Sequence, residues 1–298
     1  MIRMRIYMLA IVPLACLFVQ CKTKYNGDSL KKPITLTEQI AKDSLSLYKV
    51  LNDDAVLKGN VKTATVQQYI IQASDVKNDT FVGNRTDYSF RKDKHPDKIV
   101  FYTGGKVSAI WQYEYDNTGR LQKIVFTDST GTGKFTQKTF TYHSSGLLTE
   151  EIQEAINDKD KATIIYNYDA SGRQSQKLAF NGPSSNDVAE YDYSYDERGN
   201  RIGEKLKQYG KDSILAKHIY KYDSARNLIE DFTWQGAAKY TISYEYDSLK
   251  NVAKELNSIG GLSEYKYEYD KFGNKTKRST FYNGVLSDFM VITYSYYE

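Results

Sequence analysis

The chain has 298 residues and a formal net charge of +4, with 40% hydrophobic residues and 27 tyrosines against 12 phenylalanines. That is long enough, and apolar enough, to bury one sizeable core. Its 41 lysines and arginines nearly cancel its 37 aspartates and glutamates, which gives no electrostatic reason for nucleic acid or an anionic membrane face as partner.

Residues 1–20 carry a basic start, Arg3 and Arg5, and an apolar run from Ile6 to Val19. The run is too short for an ordinary membrane-spanning helix and reads as a secretory signal. Leu17-Phe-Val-Gln20-Cys21 resembles a bacterial lipobox, whose Cys becomes the acylated N-terminus. Gln20 departs from the small residue usual there, and Ala15-Cys16 is the alternative. Both cysteines, Cys16 and Cys21, fall in this region, so the rest of the chain has no disulfide to hold it. Residues 21–56 read as a lipid-proximal tether followed by a short helix. Thr35-Leu-Thr-Glu38 is a capping-box pattern, and Leu36, Ile40, Leu47 and Leu51 share one helical face. Such a helix either covers the open edge of the first strand or hangs loosely in the linker.

From Leu57 to Glu298 the chain reads as one β domain. Val61–Ile71 is strand-like, Asn78–Arg85 a loop, and Lys92–Pro96 a turn. Thereafter a unit repeats, Tyr-x-Tyr-Asp-x-x-Gly, complete at Tyr113-Glu-Tyr115-Asp116-Asn-Thr-Gly119. Further full copies are Tyr166/Tyr168/Asp169/Gly172, Tyr193/Tyr195/Asp196/Gly199 and Tyr267/Tyr269/Asp270/Gly273. Looser ones are Phe140/Tyr142/His143/Gly146, Tyr220/Tyr222/Asp223 and Tyr244/Tyr246/Asp247. Tyr88-Ser-Phe90 and Tyr294-Ser-Tyr296 are worn copies at the two ends. Self-similarity at such a period marks a repeat architecture.

The unit is β. Two aromatics at i and i+2 share a strand face, with polar residues between them on the other; in a helix they would diverge. Asp-x-x-Gly is turn chemistry, Asp accepting backbone N–H groups and Gly taking positive φ. Where Arg226 and Lys250 replace the glycine, the turn either strains or shifts its left-handed residue to Asn227 or Asn251. A second turn lies midway in each unit, at Gly104-Gly105, Asn181-Gly182, Gln235-Gly236, Gly260-Gly261 and Asn283-Gly284. Two turns per repeat give two antiparallel strands per repeat. The expected fold is therefore all-β, a long antiparallel meander forming one twisted, curled sheet.

These copies resemble the YD repeat of the Rhs family, whose consensus is close to Tyr-x-Tyr-Asp-x-x-Gly-Asn/Arg-Leu. The resemblance covers residues 88–298, and more weakly the stretch from Gly59. It implies a continuous curling antiparallel sheet, which in the large toxins of the family coils into a shell around a toxic domain. The array here is far shorter, which argues against a closed shell and against the toxin's role.

The repeated tyrosines are read first as the sheltered face of the sheet, a half-wet layer that suits a ring with a hydroxyl tip. Less regular aromatics, Trp111, Trp234 and Tyr265, are the ligand candidates. His95, His143 and His218 have no nucleophile, metal-ligand or phosphate-loop pattern around them, and one Asp per turn lacks the oxygen density of a calcium site. No catalytic residue, cofactor or metal is assigned. The strands carry Lys and Glu on both faces (Lys123, Glu204, Lys254, Lys275, Lys277), which argues against a membrane-spanning barrel.

The expected function is a non-catalytic scaffold or binding module of the cell envelope, lipid-anchored and recognising a protein or glycan. An envelope enzyme acting on polysaccharide and an accessory of an Rhs-type toxin system are the alternatives.

Overall fold

The computed structural model describes residues 57–71, 83–131, 133–155, 161–181 and 188–298. They form eighteen strands: β1 (Val61–Ile70), β2 (Arg85–Phe90), β3 (Pro96–Thr103), β4 (Lys106–Tyr115), β5 (Leu121–Thr127), β6 (Lys134–Tyr142), β7 (Leu148–Ala155), β8 (Lys161–Tyr168), β9 (Gln174–Asn181), β10 (Ala189–Tyr195), β11 (Arg201–Gln208), β12 (Ile214–Tyr222), β13 (Leu228–Gln235), β14 (Ala238–Tyr246), β15 (Val252–Asn257), β16 (Leu262–Tyr269), β17 (Lys275–Tyr282) and β18 (Val285–Tyr296). Each is antiparallel to its sequence neighbours. β1 in addition pairs with β18, so that Val66 faces Thr86 on one side and Ile292 on the other.

The sheet is therefore closed, an up-and-down barrel rather than an open curled sheet. Closure needs strand number, tilt and stagger to agree, and eighteen strands are enough to bring β18 back onto β1, short as the array is. It also removes the open first edge that a helix would cover on one of the two readings above, because β18 occupies it. That helix (residues 35–51), the signal segment, Cys21 and the tether lie outside the described residues. Arg85, expected in a loop, already belongs to β2.

The period-2 pattern decides which face points inward. The residues between paired aromatics, such as Glu114, Asn167, Lys221, Glu245 and Glu268, are exposed, while the aromatics beside them are buried or half-buried. In a closed barrel the sheltered face is the concave one. The core is concentrated where the ends of the chain meet, with Val66, Tyr88, Ile99, Tyr113, Met290 and Ile292 packed together across β1–β4 and β18. The entry segment is fastened there too. The Lys58 N–H donates to Asn274 Oδ1 (2.7 Å), and Asn274 Nδ2 donates back to the Lys58 carbonyl (2.8 Å).

Each Asp-x-x-Gly turn is built alike. In the Asp116 copy, the Gly119 N–H donates to the Asp116 carbonyl (3.0 Å) and the Asp116 N–H to the Arg120 carbonyl (2.8 Å). The ladder register shifts at Tyr115, a bulge at the turn. Gly119 has φ 82°, and Gly146 (90°), Gly199 (83°) and Gly273 (85°) repeat it. Neither these four glycines nor Asp247 belong to a strand; all five lie in the turns between strands. The reason for glycine is not the same at each. A Cβ on Gly146 or Gly199 would meet nothing, so backbone conformation alone selects glycine there. At Gly273 a Cβ would also come within 3.3 Å of Lys58 Nζ, where the entry segment crosses the turn.

Arg226 (φ 68°) and Lys250 (φ 65°) adopt the same left-handed conformation as those glycines. The strained alternative is thus the one realised. Asn227 does other work, its Nδ2 donating to Asp223 Oδ2 at 2.8 Å. Left-handed backbone costs a non-glycine residue about 1 kcal/mol or more. Arg226→Gly and Lys250→Gly should therefore each raise stability by about 1 kcal/mol, read as a higher denaturation midpoint at unchanged slope.

Candidate functional site

The repeat-defining groups can be followed one by one into the frame. The turn Asp accepts backbone N–H groups two and four residues on, as Asp116 Oδ1 does from Thr118 (2.8 Å) and Arg120 (3.0 Å). The residue after the Gly slot closes onto the same carboxylate. Arg120 Nε reaches Asp116 and Arg173 Nε reaches Asp169, both at 2.7 Å, and Asn200 Nδ2 reaches Asp196 at 2.7 Å. Asp247 departs from this pattern in part. Its Oδ1 accepts the Leu249 and Asn251 N–H groups (both 2.8 Å), but Asn251 Nδ2 stays 3.3 Å or more from either carboxylate oxygen. His143 takes the Asp slot with its ring, Nδ1 accepting the Ser145 N–H at 3.2 Å.

The second tyrosine of each pair then ties its repeat to the preceding one. Tyr142 Oη donates to the Leu121 carbonyl (2.5 Å), Tyr168 to Leu148 (2.6 Å), Tyr195 to Gln174 (2.7 Å), Tyr222 to Arg201 (2.8 Å) and Tyr246 to Leu228 (2.7 Å). Each acceptor sits at the same place, the first strand residue after the preceding turn. In the last two units the first tyrosine takes over: Tyr267 donates to Val252 (2.7 Å) and Tyr294 to Lys275 (2.9 Å). Tyr269 instead accepts from Asn251 Nδ2 (2.6 Å), which is what draws that amide away from Asp247. Arg120 and Arg173 also lie over the rings of Tyr142 and Tyr195, at 5.2 and 5.0 Å, a cation–π contact across the same step. The turn groups Gly146, Gly199, Asp247 and Gly273 are thus parts of the frame.

The first tyrosine of each pair faces a position that the sequence reading did not single out. Eight residues beyond the turn slot come, in order, Ile99, Ile124, Glu151, Lys177, Glu204, Asp231, Glu255 and Arg278, each opposite the first aromatic of its unit. The inward row thus changes from apolar to charged after β5. These charges have partners. Glu151 accepts from Lys138 Nζ (2.6 Å) and Tyr166 Oη (3.1 Å), Arg201 lies 3.6 Å from Glu204, and His218 Nδ1 is 3.1 Å from Asp231. Lys177 Nζ lies over the Tyr191 ring at 4.0 Å, and Arg278 faces Asp288 at 3.8 Å.

His218, Asp231 and Thr233 look at first like a catalytic relay. Thr233 Oγ1 and Asp231 Oδ1, however, both meet the same ring nitrogen, Nδ1, each at 3.1 Å. A relay needs nucleophile and carboxylate on opposite nitrogens.

The titration of the frame follows its bonds. The Asp116 carboxyl is held far below the usual range, first by the Thr118 hydroxyl and then by Arg120, and Asp223 is lowered by Asn227. At Asp169 and Asp270 burial pushes upward but is outweighed by bonds from Arg173 and from Tyr296 with Asn274. Burial pushes Tyr88 up to about 12; Tyr265, with Glu255 adding, and Tyr296, beside Asp270, also rise to about 12. Depressed carboxylates contribute stability above the unfolded carboxylate range and lose it as pH falls; raised phenols contribute below pH 10 and lose it as pH rises. The thermal midpoint should therefore be flat between about pH 5 and pH 9 and fall on both sides. On the alkaline limb, tyrosinate absorbance should appear late and together with unfolding.

The exposed face differs from the lumen in one sector. One register row reads Asp192, Lys205, Lys217, Trp234, Lys239 across β10–β14. Beside it Gly203 leaves a notch of roughly 270 Å³, whose walls include Ser194, Lys205, Lys217 and Ile219. The three aromatics expected to be ligand contacts do not converge. Trp111 is packed in the core sector, 4.9 Å from Phe101 and 4.8 Å from Phe126. Tyr265 faces inward on β16 with Arg278 over its ring at 5.6 Å. Trp234 stands on the outside of β13.

Both faces carry ion pairs at mid-strand, Lys138–Glu151 inside and Lys254–Glu245 (3.0 Å) or Lys277–Glu268 (3.2 Å) outside. A membrane-spanning barrel needs a continuous apolar band on its outer face, which the pairs on β14–β17 interrupt in that sector.

No family model and no curated protein matches the sequence. Among solved structures, the chain is similar to a porin-like protein from Bacteroides uniformis (TM-score 0.45, 12% identity, 80% of this chain and 98% of that one). It is also similar to a chain of the Photorhabdus luminescens Tc holotoxin pore (TM-score 0.36, 19% identity) and to one of the TcdB2-TccC3-Cdc42 complex (TM-score 0.34, 15% identity). Each of these covers 71% of this chain but only 11% and 15% of the toxin chain. Likeness at this level defines neither a shared activity nor a shared partner.

Proposed function

We propose that this chain is a non-catalytic binding module of the cell envelope, a YD-repeat barrel held to the membrane through a lipid on Cys21. The observation that carries the binding role is the division of labour within each repeat. The repeated groups are used internally, by the turn and the tyrosine bond, while the positions that differ from copy to copy are free of that work, both in the inward row from Ile99 to Arg278 and on the outer face around Trp234. A closed frame with such variable positions is suited to recognition. The alternative, an enzyme acting on polysaccharide, would need a carboxylic acid held protonated. The described carboxylates that are shifted move the other way.

Two measurements test the reading. The purified chain, presented to a glycan array and to envelope extracts, should give specific saturable binding without turnover; release of reducing ends from a polysaccharide would favour the enzyme. In cells, Cys21→Ser should move the protein from the membrane fraction to the soluble one. If the variant stays membrane-bound, the lipid anchor is wrong while the binding role survives.

A further inference from the structure

We propose that the outer face of β11–β14 binds an acidic saccharide, with Lys205 and Lys217 holding its carboxylate and the Trp234 indole receiving the face of a sugar ring. The proposal rests on the binding-module reading and names its ligand class. It begins from a broken rule. On this face three lysines stand opposite acids on the neighbouring strand, Lys221–Glu230 (2.6 Å), Lys254–Glu245 (3.0 Å) and Lys277–Glu268 (3.2 Å). Lys205 and Lys217 instead face one another across β11 and β12. Like charges directly opposite are destabilising, and neither Lys205, Lys217 nor Lys239 has an ion-pair partner among the described residues. Asp192, the acid next in the row, is bonded to Lys207 and Gln176. Three ammonium groups without an acid, in one row with an indole, are a cost to the frame that an anionic ligand would offset.

The neighbouring row supplies the shape. Ser194, Gly203, Ile219 and Phe232 follow one another across the same strands. Gly203 has no positive φ to explain it, and a Cβ there would come within 2.6 Å of Ser194 Oγ. Its missing side chain opens the notch of roughly 270 Å³ beside both lysines. That is smaller than the usual range for drug-sized ligands and suits a single ring. The walls combine an apolar side, Ile219, with a hydroxyl, Ser194, as a sugar demands.

The charge pattern selects among anions. All three cations are lysines, point charges without the planar fork that favours phosphate. Asp192 closes one end of the row and Glu230 lies two rows away, beyond Phe232. A polyphosphate backbone, which gathers affinity from many neutralised charges, would meet those acids. A ring bearing one carboxylate can turn that group toward Lys205 and Lys217 and its hydroxyls toward Asp192, which also lines the notch, with the rest of a short oligosaccharide running toward Lys239.

The test uses the full chain and its tryptophan emission, since Trp111 is packed inside and Trp234 is not. Probes are oligogalacturonate, oligomannuronate and a sialyl trisaccharide, against a neutral trisaccharide, poly-glutamate and a single-stranded oligonucleotide. At least one acidic saccharide should change the emission saturably, and the change should vanish in Trp234→Phe. In Lys205→Gln/Lys217→Gln its affinity should fall about tenfold, while the thermal midpoint holds or rises because a like-charge pair is gone. The neutral sugar should bind far more weakly, and added salt should weaken the acidic one. Absence of saturable binding by all three acidic sugars overturns the proposal. So does unchanged affinity in the double variant, or tighter binding of poly-glutamate or the oligonucleotide. A different ligand found on the array at another surface would sink this site and leave the module reading standing.

Discussion

Ile292→Ala should destabilise the chain by about 2–5 kcal/mol, the range for emptying a buried aliphatic position. Ile292 is 2% exposed on β18, directly across from Val66 of β1 and inside the cluster shared by the two ends of the chain. The substitution acts on more than a local cavity. β1 and β18 are the seam of the barrel, and closing that seam orders a loop of roughly two hundred residues, a single contact with a large entropic debt. Loosening it should therefore appear at a distance along the sequence. Backbone amides of Ala64–Gln68 should lose hydrogen-exchange protection together with those of β18, while Tyr193–Tyr195 of β10, across the barrel, change little. Ile259→Ala, at a turn residue 74% exposed, should stay within about 0.5 kcal/mol of the parent. Comparable losses at the two sites, or protection lost evenly around the barrel, would mean that the seam is not a distinct element.

Strands and turns were legible because each has a local cause. Tyr-x-Tyr sets the inward face by its period of two, and Asp-x-x-Gly and Asn-Gly set the turns, down to the paired positive φ values of Asn283 (49°) and Gly284 (80°). Closure had no such cause. β1 has no Tyr-x-Tyr, and nothing local in Val61–Ile70 names β18 as its partner, so an open edge, with a helix either covering it or hanging in the linker, is what the sequence alone leads to. The Arg226 and Lys250 turns were left between two conformations, and the conformation of the following Asn was decided by the nearby Asp carboxylate, a contact visible only once the turn is built.

The inward charged row and the outward Lys–Lys–Trp–Lys row were hidden for a related reason. Both need cross-strand register, and register shifts by a bulge at Leu206/Lys207 and again at Lys221/Tyr222. A slip of one residue turns every side chain to the other face. The inward row did leave a trace, a fixed offset of eight from the turn residue, which becomes meaningful only when the tyrosines are known to pair backward. Trp234 was singled out from the sequence as irregular; what could not be read was that it stands between Lys217 and Lys239.

The tyrosine bond between repeats gives the other large effect. Tyr168→Ala should cost about 3–5 kcal/mol, because it removes a packed ring and also the donor to the carbonyl of Leu148 (2.6 Å), itself only 3% exposed. Tyr168→Phe separates these two contributions. It keeps the ring, leaves that carbonyl without its donor, and should cost about 1–2 kcal/mol. Asp169→Ala, the next residue, should cost only about 1 kcal/mol, the size of a lost cap, since the turn retains the Gly172 N–H bond to the residue 169 carbonyl (2.9 Å). Denaturant midpoints at a common slope order the three variants. If Asp169→Ala proves as damaging as Tyr168→Ala, the division into a turn residue and an inter-repeat bond is wrong. If Tyr168→Phe is silent, the ring alone carries the contact and the recurring hydroxyl bond contributes nothing. Because the same donor and acceptor positions recur at Tyr142, Tyr195, Tyr222 and Tyr246, Tyr195→Phe should repeat the Tyr168→Phe result, with distant copies adding independently.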